Sequence, residues 1–112
     1  MKISDLVSEL ELEVISGREG LDNEISGGYV SDLLSDVMGN AREGNVWITL
    51  QTHQNIIAVA SLKEVSAIIL VRGLKPGSDS IKKSDEENIP LLSTKLDTFT
   101  VAGRLFDLIK NE

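Results

Sequence analysis

Apolar residues along this chain alternate between two spacings, and the changes of spacing divide it into short elements. Leu6, Val7 and Leu10 recur at helical intervals, so residues 3–10 read as a short helix that Ser4 can cap. Leu12 and Val14 then alternate with Glu11 and Glu13, as on a half-buried strand, and Gly17 and Gly20 punctuate a turn. Residues 24–30 read as extended but are interrupted by Gly27-Gly28, which predicts a bulge or a close backbone approach. A helix opening at Ser31 or Asp32 follows. Leu33, Leu34, Val37, Met38 and Ala41 mark its face, and Gly44 ends it.

The second half of the chain is plainer. Residues 46–50 form a strand and residues 52–64 a helix. Residues 66–71 carry the run Ala-Ile-Ile-Leu-Val, the pattern of a strand buried on both faces of a parallel sheet. Gly73, Pro76 and Gly77 make the next loop, and Ser78 or Asp79 caps a polar helix reaching about Asn88. Pro90 opens a short strand over residues 91–93. Asp97 or Thr98 begins the last helix, with Val101, Ala102, Leu105, Leu108 and Ile109 on one side.

Strands alternating with helices across short loops predict βαβ units. The expected fold class is α/β, a three-layer arrangement of a mostly parallel, mixed sheet flanked by helices, in one domain spanning residues 1–112. One helix breaks the amphipathic pattern. Ile56, Ile57, Ala58, Val59 and Ala60 are five apolar side chains in a row, longer than one turn. A turn with no polar side must be covered all round. Either a neighbouring segment of the chain covers it, or Ile56, Ile57, Val59 and Ala60 form the interface of a symmetric homodimer.

Composition narrows the function classes. The chain has 112 residues and no cysteine, which removes disulfides, thiolate metal sites and a cysteine nucleophile. Lys2 follows Met1 directly and no long apolar run is present, so a cytoplasmic setting is expected. Net charge is −7, and residues 1–44 account for all of it, with three basic side chains against ten acids. Residues 45–112 hold eight of each sign. Such a chain repels phosphate backbones, which argues against nucleic acid and anionic membranes as partners.

The catalytic inventory is thin. His53 is the one histidine, and no phosphate-binding loop, dinucleotide fingerprint, zinc-protease motif or nucleophile elbow is present. Lys75-Pro76-Gly77-Ser78 reads as a turn. No cofactor and no metal are expected, and a small kinase or phosphatase lacks the groups to work with. Position offers more than motif does. Ligands in open α/β sheets sit beyond the carboxyl ends of the strands. The segments leaving strands there carry Thr52, His53 and Asn55, then Arg72 and Gly73, then Thr94 and Asp97, a fair set for an anion or a nucleotide. Each also has a structural reading. Thr52 or Asn55 can cap a helix, Arg72 can pair with Asp97, and His53 can satisfy backbone groups. Ser31-Asp32 reads as a helix cap, and Trp47 as core or interface packing.

Trp47-Ile48-Thr49 with Gln51-Thr52-His53, then residues 68–76, then Asn88-Ile89-Pro90-Leu91-Leu92, resemble the DRTGG domain over most of the chain. Lys2 to Leu6 and Gly27 to Leu34 fit it as well. The resemblance extends to the N-terminal domain of HPr kinase/phosphorylase and, more distantly, to those of Mur ligases. It implies an α/β fold and a regulatory or scaffolding role beside catalytic or sensor domains, not catalysis. Short stand-alone versions are similar to small proteins encoded near histidine-kinase-like ATPases in anaerobic bacteria. The expected partners are thus a partner enzyme or histidine-kinase-like protein and a nucleotide, beside the second copy that the apolar turn suggests. The name motif is degenerate here. Its Asp-Arg falls on Thr52 and His53, its Thr-Gly-Gly on Val71, Arg72 and Gly73, and only Gly73 is kept. The resemblance thus implies the fold more firmly than the site.

Overall fold

The computed structural model describes residues 1–53 and 55–112. In chain order it has α1 (Ile3–Leu10), β1 (Glu13–Ser16), a 3-10 turn (Arg18–Gly20), β2 (Gly27–Val30), α2 (Leu34–Asn40), β3 (Asn45–Thr49), α3 (Asn55–Lys63), β4 (Ala67–Leu70), α4 (Ser78–Glu87), β5 (Leu91–Ser93) and α5 (Thr98–Lys110). The five strands form one sheet in the order β1-β5-β4-β3-β2. β2 to β5 pair in parallel, and β1 joins β5 antiparallel. The sheet is therefore mixed and mostly parallel, as expected.

Alternation along the central strands sends side chains into two separate cores. Val46, Ile48, Ala67, Ile69 and Val71 face Ile3, Leu6 and Leu10 of α1 and Val101 and Leu105 of α5. Trp47, Ile68, Leu70 and Leu91 face Val37 of α2 and Ile56, Ile57 and Ala60 of α3. α4 packs beside α3 and against β1 in this second layer, so the architecture is α/β/α. Trp47 is fully buried, and its indole N–H donates to the Ser31 carbonyl at 2.8 Å.

The apolar helix is covered by the chain itself. Ile56, Ile57 and Ala60 are at most 1% exposed and Val59 is 9% exposed, because α3 lies on the sheet with α2 on one flank and α4 on the other. These four residues are not free to form a dimer interface, and the reading in which neighbouring helices cover them is the one that holds. Ala58 alone of the run faces outward.

Several boundaries move for local reasons. Ser4 does not cap α1. Its N–H donates to the Leu21 carbonyl at 2.9 Å, and the Asp5 carboxylate accepts from the Lys2 N–H at 2.9 Å. α2 starts at Leu34, leaving Leu33 63% and Met38 40% exposed, and α3 starts at Asn55. Gly77 precedes α4, with no side-chain cap from Ser78 or Asp79. Asp97 does cap α5, accepting from the Thr100 N–H at 2.8 Å. The bulge lies elsewhere too. Gly27 and Gly28 pair in regular register with Asn45 and Val46, while β1 is irregular between Val14 and Ser16. Gly28 is a close approach, since a Cβ there would stand 2.9 Å from Leu105 Cδ2.

Two glycines make opposite predictions. Gly17 has φ +74°, and a Cβ on it would sit 2.1 Å from the Ile89 carbonyl oxygen, a backbone atom that cannot yield. Gly17→Ala is expected to cost about 2–4 kcal/mol and to lower the thermal midpoint by roughly 10 °C or more. Gly39 lies within α2 with nothing near its Cβ position. Gly39→Ala should gain about 0.5–1 kcal/mol. Urea and thermal unfolding of both variants check the pair, and equal effects would contradict the packing described.

Candidate functional site

Because β2 to β5 run parallel, their carboxyl ends share one edge of the sheet. Ser31-Asp32 leaves β2 there, Leu50 to Thr52 leaves β3, Val71 to Gly73 leaves β4, and Thr94-Lys95 leaves β5. Most polar groups at this edge are committed to the fold. Asp32 Oδ1 accepts from the Thr49 hydroxyl at 2.9 Å and the Leu50 N–H at 2.7 Å, and the Asp32 carbonyl accepts from Gln51 Nε2 at 2.9 Å. Asp32 is thus a clasp between the ends of β2 and β3 rather than a helix cap.

Arg72 and Gly73 both adopt left-handed backbone, with φ +58° and +72°. Their N–H groups donate to the carbonyls of Leu96 and Thr94, each at 2.8 Å, stitching the β4 loop to the β5 loop. That geometry explains why glycines suit these positions in the motif resembled above. Arginine at 72 tolerates a conformation that a glycine takes without strain.

The seven residues singled out at this edge do not all converge: Arg72, Gly73, Thr94 and Asp97 lie together, and Thr52, His53 and Asn55 lie apart from them. Gly73 and Thr94 line a cavity of about 440 Å³ on the α1/α5 side. Thr52 and His53 line a separate hollow of about 270 Å³ with Gly77 to Ser80. Asn55 lines a third, against α4, with Lys83 and Glu87. Gln54 lies outside the described residues. His53 Nδ1 accepts from the Asn55 N–H at 3.1 Å, and the His53 carbonyl accepts from Ile56 N–H at 3.1 Å. Thr94 Oγ1 accepts from the Leu96 N–H at 3.2 Å. Arg72 stands near enough to Asp97 to favour its charged form.

The 440 Å³ cavity also gathers cations that the sequence does not mark as a group. Lys75, Lys95 and Arg104 line it together with Glu11 and Glu13. Lys75 pairs with Glu13, and an Arg104 guanidinium nitrogen donates to the Glu9 carbonyl at 3.2 Å. The three cations come from the β4–α4 loop, the β5–α5 loop and α5. No sequence spacing links them. Only the parallel order of β4 and β5 brings their loops together.

Comparison with known proteins agrees with this fold. The DRTGG domain family matches residues 5–108, and the chain belongs to that family. It is 32% identical over 104 residues to the uncharacterized protein YtoI of Bacillus subtilis (strain 168), covering 91% of this chain and 23% of YtoI. It also resembles the crystal structure of the CBS and DRTGG domains of the regulatory region of Clostridium perfringens pyrophosphatase, complexed with the activator diadenosine tetraphosphate. That match has a TM-score of 0.73 and 23% identity, and covers 93% of this chain and 45% of the other. The chain thus spans less than half of either protein. Among the described residues, no helix is long and apolar enough to cross a membrane.

Two carboxylates near this edge titrate below the ordinary range. The Tyr29 hydroxyl donates to Asp36 at 2.8 Å, which lowers the Asp36 pKa and raises that of Tyr29. The Thr100 N–H and hydroxyl lower the Asp97 pKa, with Arg72 adding to the effect. A depressed folded pKa contributes stability that is complete above the unfolded value and fades as pH falls through the folded one. Unfolding stability is therefore expected to decline below about pH 4. Asp97→Asn should cap α5 nearly as well at pH 7 and give a flatter acid profile in urea titrations. An unchanged acid slope would remove Asp97 from this account.

Proposed function

We propose that this chain is a non-catalytic regulatory domain that homodimerises and modulates a partner enzyme or signalling protein. The observation that carries the reading is the use of the chemistry-bearing side chains at the carboxyl edge. Asp32, His53, Thr94 and Asp97 are all engaged by backbone groups of the chain itself. Engaged in this way, they suit holding a surface in shape better than transferring a group. Membership of the DRTGG family supports the reading, as does the likeness to part of the regulatory region of a pyrophosphatase.

A second reading rests on the 440 Å³ cavity. Three cationic side chains line it, against Glu11 and Glu13, in a chain whose net charge is −7. The chemistry that fits is a small phosphate-bearing anion, a nucleotide included, held by Lys75, Lys95 and Arg104 beside the Gly73 and Thr94 backbone. The activator of the pyrophosphatase region is likewise a nucleotide. In this reading the ligand adjusts the regulatory surface.

Both readings are open to direct test. Incubation with labelled ATP should give no phosphoryl transfer to the chain or to added acceptors, and stoichiometric transfer would overturn the non-catalytic reading. Thermal unfolding against adenine and uridine nucleotides, phosphate and pyrophosphate tests the cavity. A ligand at about 100 times its dissociation constant adds roughly 2.7 kcal/mol, a midpoint shift on the order of 10 °C for this size. A Lys75→Ala/Lys95→Ala variant should lose that shift. No selective shift in the wild type would leave a protein-binding module without this ligand site.

A further inference from the structure

We infer that the groove between α5 and the outer strand β2 is the contact by which a second copy of this chain docks, joining the two β2 edges antiparallel and setting α5 against its counterpart. The inference deepens the dimer reading proposed above and gives it a surface. The groove has a volume of about 590 Å³, and none of the residues lining it is charged. Phe99 and Phe106 are the chain's two phenylalanines, and they stand 88% and 68% exposed along one flank of α5. Val30, on β2, adds a third large apolar side chain, 47% exposed. The two phenylalanines alone present on the order of 300 Å² of apolar surface. That is more than a third of the roughly 800 Å² that each partner contributes to a standard interface.

The groove follows from the layer count. Five strands at about 4.8 Å spacing make a sheet some 24 Å wide, and a packed helix covers about 10 Å. α2, α3 and α4 cover one face completely. α1 and α5 cover the other less fully, and where α5 packs on β2 an apolar groove stays open along the outer margin of that strand.

The two sheet edges are also treated differently. β1 is blunted by its bulge, by Glu13 and by the Arg18 guanidinium, which donates to the Val14 carbonyl at 3.1 Å. β2 reads Gly-Gly-Tyr-Val and pairs in regular register on its inner side, with no charge, proline or bulge to guard its outer side. An unguarded edge is a template for another strand. The occupant that fits is a second copy. A two-fold axis through this edge matches each flat strand with its equal and brings the apolar flank of one α5 onto the same flank of the other. It also runs the two helices antiparallel, so the Asp97 end of each meets the Lys110 end of its partner. A charge-free face lets two copies of net charge −7 approach without bringing carboxylates together. Gly103 lies between the phenylalanines with nothing within 4 Å of its Cβ position, so no packing within the chain calls for a glycine there, and its missing side chain lets a second helix come close.

Sedimentation equilibrium tests the proposal on the whole chain. The wild type should sediment at twice 12.2 kDa at tens of micromolar. Phe99→Glu/Phe106→Glu should sediment as the monomer, with the dissociation constant raised at least a hundredfold and an unchanged far-ultraviolet circular dichroism spectrum. Phe99→Glu alone carries the same test, since that side chain is 88% exposed and the fold does not depend on it. Leu62→Glu, on the outer side of α3 in the opposite layer and 71% exposed, should leave the dimer intact. A wild type that stays monomeric at high micromolar concentration overturns both this surface and the dimer reading. A wild-type dimer that survives the Phe99 and Phe106 replacements overturns the surface alone.

Discussion

The structure depends on burying one strand from both sides. Residues Ala67 to Val71 are all fully buried, alternating between the two cores. Each large side chain among them is worth about 1.5–3 kcal/mol when removed from water, and that gain requires a helical layer on each face of the sheet. Right-handed crossovers between parallel strands supply α2 and α3 on one face, and α4 joins them there. The chain's two ends, α1 and α5, supply the other face. α3 lies at the centre of its layer, which is why its sequence is apolar through more than a turn. The same arithmetic that seals one face with three helices leaves the other, with two, incompletely covered at its margin.

The sequence made the central elements legible and the margins less so. The run at residues 67–71 announced a doubly buried strand because its side chains carry no alternative. The five apolar residues of α3 signal burial, which holds for all but Ala58, but do not say what does the covering. In the fold α2 and α4 do it, and α4 looks almost wholly polar in sequence. Its buried face is Ser80 and Ser84, with Ser80 Oγ donating to the Thr52 carbonyl at 3.2 Å and the Ser84 hydroxyl 2.7 Å from that of Ser16. Serines that pack by hydrogen bonding leave no trace in hydrophobic periodicity. The reverse error occurred in α2, where Leu33 and Met38 fit the periodic pattern yet face solvent.

The candidate site divides along similar lines. That polar groups would gather at the carboxyl edge followed from parallel pairing alone. Which of them are free did not follow, because that depends on hydrogen bonds between segments far apart in the chain. The sequence makes Asp32 look like a cap, and in the structure it is a clasp across the ends of β2 and β3. Thr52 and His53 leave the same sheet edge as Gly73 and Thr94, yet they open into a different hollow, facing the start of α4. Lys75 reads as part of a turn, and Lys95 and Arg104 as unremarkable surface cations, in the sequence alone. They form a group only once β4 and β5 lie side by side.

One helix connects the two surfaces proposed for this chain. Arg104 reaches from α5 to the Glu9 carbonyl and lines the cationic cavity, while Phe99 and Phe106 stand on another flank of the same helix, toward β2. α5 is anchored at its start by Asp97, whose N-cap bond lies beside the Arg72 loop. An anion drawing Arg104 toward the cavity would therefore pull on the element that shapes the dimer groove. Thermodynamic linkage makes any such effect reciprocal, so an anion that tightens the dimer must itself bind more tightly to the dimer than to the monomer. Coupling of this kind needs no catalytic group. It needs a rigid helix with a ligand contact on one side and an interface on the other, and α5 is the element in this fold that lines both.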